Sequence, residues 1–137
     1  MTKLIAALIL SLSATVAVAD VTLTDDAKTI TITVHSAELA YGINSNNSVQ
    51  VDAWMTMVKD GKAERERFAV TGCDKDGGRI ASLDTTTYEV VGKQTKWIRG
   101  GPSMLDETAE NVCEMAFQKA TAESKPTKPA KLSKSSI

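Results

Sequence analysis

Few side chains in this 137-residue chain have the types and spacing to do chemistry. It holds two cysteines, Cys73 and Cys113, and a single histidine, His35. A Ser-His-Asp or Cys-His centre needs a histidine base, so His35 alone would have to supply it. His35 falls among threonines on the polar side of an alternating stretch, the setting of a solvated surface histidine. One histidine and no C-x-x-C also argue against a metal or redox site. The simplest chemistry for the cysteines is with each other, since two thiols in an exported domain pair in an oxidising compartment. The Cys73–Cys113 bond would close a loop of 40 residues. In the chain-entropy account such a loop is worth roughly 4 kcal/mol.

The remaining polar motifs are poorer still. Asp74-Lys75-Asp76-Gly77 resembles the start of a calcium loop, but Gly78 and Thr85 stand where oxygen ligands are needed, so a plain turn is expected. Asn46-Asn47-Ser48 is a glycosylation sequon, a match common by chance. Glu64-Arg65-Glu66-Arg67 aligns like charges on each side of a strand, a pattern that blunts an exposed edge. Phosphate loops, zinc spacings and nucleotide fingerprints are absent from the sequence. The reading is therefore no enzyme, no catalytic or metal-ligating residue, no cofactor and no nucleic-acid partner.

Two features suit recognition. Trp54 alternates onto the polar side of its strand, opposite Val49, Val51 and Met55, where it would be an exposed anchor for a protein partner. Burial of Trp54 is the alternative, if a helix covers that face or the sheet is buried on both sides. Lys125, Lys128, Lys131 and Lys134 recur every third residue around Pro126 and Pro129. In polyproline II, with about three residues per turn, they would share one edge and could track an anionic envelope polymer. A merely solvating tail is the other reading.

The elements that carry these residues follow from composition and period. Residues 1–19 have a basic start, an apolar run and Ala17-Val18-Ala19, the pattern of a signal peptide cleaved before Asp20. Export follows, to the periplasm, the cell surface or beyond, and no transmembrane segment is expected. Residues 20–120 form one domain with 11 basic and 16 acidic side chains, a balance of −5. Residues 121–137 hold four lysines and one glutamate, a balance of +3, and read as a disordered Lys/Pro-rich tail.

Within the domain, short alternating runs predict about six antiparallel strands in a meander: Lys28–His35, Ser48–Val58, a strand from the Asp60-Gly61 hairpin to Cys73, Arg79–Leu83, Thr85–Val91 and Lys93–Arg99. Tyr41 to Ser48 reads as a loop. Gly100-Gly101-Pro102 then breaks the chain, and Ser103 caps a C-terminal helix with Asp106 at its third position. Leu105, Ala109, Val112, Cys113, Ala116, Phe117 and Ala120 make its apolar side. The class is α+β: a meander sheet with one helix packed on it, tied by Cys73–Cys113, and Trp97 in the core nearby.

Gly72-Cys73-Asp74, the glycine turn, Arg79-Ile80, the Tyr88 strand, Trp97-Ile98-Arg99-Gly100-Gly101-Pro102-Ser103 and the helix bearing Cys113 resemble the surface-adhesin E family. The resemblance covers roughly residues 28–118 and rests on a sparse pattern, Cys73…Trp97…Pro102-Ser103…Cys113. It implies a small exported binding module that engages host extracellular proteins. A different class is also open: a periplasmic inhibitor whose acidic body blocks a cationic hydrolase such as lysozyme.

Overall fold

Residues 18–123 and 130–131 are described by the computed structural model. Alternating side chains between tight turns give strands β1 (Val21–Thr24), β2 (Ile30–Ile43), β3 (Val49–Lys59), β4 (Lys62–Thr71), β5 (Gly77–Leu83) and β6 (Val90–Ile98). They lie side by side in chain order, each antiparallel to the next, and helix α1 (Met104–Glu123) follows. The α+β meander read from the sequence is the architecture of the protein. A two-residue strand, β7 (Ala130–Lys131), falls within the expected tail and pairs in parallel with Gly42 and Ile43 of β2.

The sheet has one oily face. Val51, Ala53 and Met55 of β3 share it with Phe68 and Val70 of β4 and with Ile32 and Val34 of β2, and α1 packs onto them through Ala109, Val112, Met115 and Ala116. Trp97 is 1% exposed and donates its indole N–H to the Thr71 carbonyl at 2.8 Å. The Cys73–Cys113 disulfide, with Cα atoms 5.2 Å apart, joins the end of β4 to the buried side of α1.

Local chemistry sets the ends of the helix and strands. At the start of α1, Ser103 Oγ accepts the Asp106 N–H at 3.0 Å, and Asp106 Oδ2 accepts from Ser103 Oγ at 2.7 Å and Ser103 N at 3.3 Å. This is a capping box closed by aspartate. Asp60-Gly61, both at positive φ, form the two-residue hairpin between β3 and β4. At Gly72, φ is 90° and an added Cβ would run into the Gly77 carbonyl, so the crossing toward β5 requires glycine.

Four expectations need correction. Tyr41 and Gly42 belong to β2, because the strand resumes after a bulge between His35 and Ala40. The carbonyls of Ser36, Ala37 and Leu39 in that bulge receive Lys119 Nζ from α1, at 3.3, 3.3 and 3.2 Å. Thr85–Tyr88 form a turn rather than a strand, since Asp84 Oδ1 accepts the N–H groups of Thr86 and Thr87, both at 2.8 Å. Side-chain capping there overrides the β preference of three threonines. Phe117 is 69% exposed, not part of the buried stripe. It lies about 140° round the helix from Val112, on which the stripe is centred. Finally, β4 is an interior strand, although β5 pairs only with Arg67–Val70 and leaves the Glu64–Glu66 half open on that side.

Candidate functional site

The face turned away from α1 carries the side chains with chemistry. The Asp60-Gly61 hairpin pairs Trp54 with Arg67 and Thr56 with Arg65, and β2 sets His35 beside Trp54. Trp54 is half-buried, with the Arg65 guanidinium 4.6 Å and that of Arg67 5.9 Å from its ring centroid. Arg67 also stacks on Tyr88, 3.5 Å away, from the turn between β5 and β6. The result is a row of Arg65, Trp54, Arg67 and Tyr88 in which cations alternate with aromatic rings.

A buried polar chain fixes this row from below. Asn44 Nδ2 donates to Gln50 Oε1 at 2.9 Å, and Gln50 Nε2 donates to Asp52 Oδ1 at 2.8 Å. Asp52 Oδ2 then pairs with Arg67 Nη2 at 3.4 Å. Asn44, Gln50 and Asp52 are all buried, on the face turned away from α1. Arg67 is held at Nη2 by Asp52, while its buried Nε meets no acceptor among the described residues and its guanidinium lies over the Tyr88 ring. Arg65 is anchored separately by Glu38 from the β2 bulge.

His35 is half-buried rather than solvated. Its Nε2 lies 2.7 Å from Thr56 Oγ1 and its Nδ1 lies 3.3 Å from Asp20 Oδ2. Asp20–His35–Thr56 thus has the order of contacts of an acyl-transfer triad. Thr56, however, sits mid-strand between β2 and β4, where neighbouring N–H groups are spent on the ladders. None of them can turn toward an oxyanion, which such chemistry requires. The arrangement instead ties the start of the domain to the sheet. Asp20 Oδ1 accepts the Ser36 N–H at 2.9 Å, and this bond above all holds the Asp20 carboxyl below its ordinary pKa.

A polar cleft of about 480 Å³ opens at one end of the sheet, between the turn at Asn46, Asn47 and Ser48 and the turn bearing Lys75 with Arg79 of β5 beside it. Asp74 and Asp76 stand in that second turn as plain turn residues, and among the described residues no three His, Cys, Asp or Glu side chains gather to hold a metal.

The structure brings together only part of the expected recognition residues. Trp54 lies on the face turned away from α1 as its parity required, but half-buried and stacked. Arg65, Arg67 and Tyr88 were not singled out with it. Hairpin arithmetic could have found the two arginines, since a two-residue Asp60-Gly61 loop places Trp54 opposite Arg67. Tyr88 had no such signal, because it stands in a turn that reads as strand. Lys125, Lys128 and Lys134 lie outside the described residues, and of Lys131 only the backbone of β7 is described.

No family model matches the chain, nor does any curated protein or solved structure. The likeness to surface-adhesin E proteins therefore rests on the quoted residues alone. No described helix is long and apolar enough to cross a membrane.

Proposed function

We propose that this protein is an exported, non-enzymatic binding module that engages a protein partner through the sheet face turned away from α1, in the manner of an adhesin. One observation carries this reading: Trp54 is held half-exposed between two arginines, with a second aromatic beyond them. Tryptophan, tyrosine and arginine are the side chains most enriched where binding energy concentrates. Here they are also braced, by Asp52 and Glu38, so that little rotamer freedom remains to be lost on binding. Export is supported by the leader-like residues 1–19 and by the intramolecular disulfide.

The test is binding of the oxidised protein to immobilised host matrix proteins and envelope extracts, with Trp54→Ala and Tyr88→Ala compared against wild type. Loss of at least tenfold in affinity, with the fold intact, is the expected result. Equal binding by Trp54→Ala would refute the assignment of the face. A lysozyme inhibition assay separates the alternative class, whose support is the −5 balance of residues 20–120. Stoichiometric inhibition would displace the adhesin-like reading.

A further inference from the structure

The polar cleft at the end of the sheet takes no part in the Trp54 row. Its volume of about 480 Å³ falls within the roughly 300–1,000 Å³ of small-molecule sites. Both of its walls are braced from within. In the first, Asn44 Oδ1 accepts the N–H groups of Asn46 and Ser48, both at 3.0 Å. Asn47, with φ at 61°, donates its N–H to the Asn44 carbonyl at 3.0 Å. In the second, Arg99 ties down three carbonyls: its N–H reaches Asp76 at 2.9 Å, and its Nη2 reaches Cys73 at 3.3 Å and Lys75 at 3.2 Å. The disulfide holds Cys73 to α1 as well. Between the walls Gly72 and Gly78 meet main chain to main chain, with no room for a Cβ at either.

The side chains on these walls are left without work. Asn46, Asn47, Asp74, Lys75 and Arg79 line the cleft and are exposed. Among the described residues, none of the five side chains takes a hydrogen bond or an ion pair. Other turns of the protein spend such groups on themselves. Asp25 accepts the Thr29 N–H and Asp84 that of Thr87, each within its own turn. In the cleft that task falls to Asn44, and the polar groups beyond it stand free on rigid backbone. Lys75 and Arg79 against Asp74 leave a balance of +1, on a domain whose balance is −5.

We propose that this cleft is a binding site for an acidic sugar, a single carboxylated saccharide unit such as a uronic or sialic acid. The sugar carboxylate meets Lys75 and Arg79. Its hydroxyls donate to the Asp74 carboxylate, while the Asn46 and Asn47 amides donate to its hydroxyl and ring oxygens. A bare anion would leave both amides unused and would be repelled by Asp74. A neutral sugar would leave two cations unmatched. Only a ligand with one negative charge and several hydroxyls uses all five side chains. No aromatic ring lines the cleft, so one unit should bind with a dissociation constant of roughly millimolar size. The site is separate from the Trp54 face and stands or falls independently of it.

The probes are the methyl glycosides of glucuronic acid and N-acetylneuraminic acid, with methyl glucoside and acetate as controls. In amide NMR of the oxidised chain, at least one acidic glycoside should shift residues 46–48 and 74–79. Both controls should bind at least roughly tenfold more weakly. Lys75→Gln/Arg79→Gln should weaken the acidic glycoside roughly tenfold, with spectra unaltered elsewhere. Asn46→Ala/Asn47→Gly, which keeps the positive φ at 47, should also weaken it. Trp54→Ala should bind it like wild type. No shift with either acidic glycoside would overturn the proposal. So would acetate binding as well as the glycoside, which marks a bare anion site, or methyl glucoside doing so, which leaves the cations without a role.

Discussion

Reducing the Cys73–Cys113 bond should cost about 4 kcal/mol, from closure of a 40-residue loop in the unfolded chain. Against the roughly 5–15 kcal/mol typical of a domain, that is a large fraction of the total. The consequence for melting follows from the size of the ordered part. Residues 18–123 make 106 positions, and at about 2.1 cal/mol/K each the unfolding entropy near the midpoint is roughly 0.22 kcal/mol/K. A loss of about 4 kcal/mol then lowers Tm by about 15–20 °C. Urea unfolding of oxidised and reduced protein, followed by tryptophan emission, measures this directly. The midpoint should fall and the slope should rise, because the uncrosslinked chain exposes more surface when unfolded. The native spectrum should persist after reduction, since the Trp97–Thr71 bond and the Ser103–Asp106 capping box hold the same junction without the sulfurs. A loss below about 1 kcal/mol would show that those contacts, not the staple, fix the helix to the sheet, and the entropic reasoning would fail.

The other predictions concern charge. In a Trp97→Phe background, iodide should quench Trp54 more strongly than caesium does, because Arg65 and Arg67 flank its ring; equal quenching by the two ions would remove the cationic frame. Stability should hold above about pH 5 and fall as pH drops toward 3. The carboxyls of Asp20, Asp25, Asp84 and Asp106 all titrate below their ordinary value, chiefly through backbone N–H bonds from Ser36, Ile30, Thr87 and Ile98 respectively. A group whose folded pKa is depressed stabilises the fold when ionised and ceases to do so on protonation. A urea midpoint that stays level or rises between about pH 5 and about pH 3 would contradict this.

Most of the frame was legible because each signal was local. Period-two runs marked the strands, Asp60-Gly61 marked a hairpin, and Ser103 with Asp106 marked the start of the helix. The misreadings arose where a side chain bonded the backbone against its neighbours' preference. Asp84 turned Thr85–Tyr88 out of the sheet. The β2 bulge kept Tyr41 and Gly42 in a strand because its spare carbonyls found Lys119, some 80 residues away. No local pattern announces a partner at that distance. The partners of His35 were hidden for the same reason, since Asp20 and Thr56 meet it only across the folded sheet.

The candidate site shows how far such reasoning can be pushed. Trp54 and Arg67 sum to the same register as Asp60 and Gly61, so a tight two-residue turn determines their pairing. A slip of one residue would carry Trp54 through to the oily face and expose Ala53 and Met55 in its place. Whether Trp54 binds anything is therefore decided first by a turn six residues away. Its chemistry is decided second by Arg65 and Arg67, which a reading of the Glu-Arg alternation as mere edge protection overlooks. The same alternation serves both ends: the glutamates Glu64 and Glu66 fall on the helix side, opposite Met57 and Met55, while both arginines are delivered to the tryptophan. Charge pattern on a strand is thus read only after its hairpin has assigned each residue a face and a neighbour.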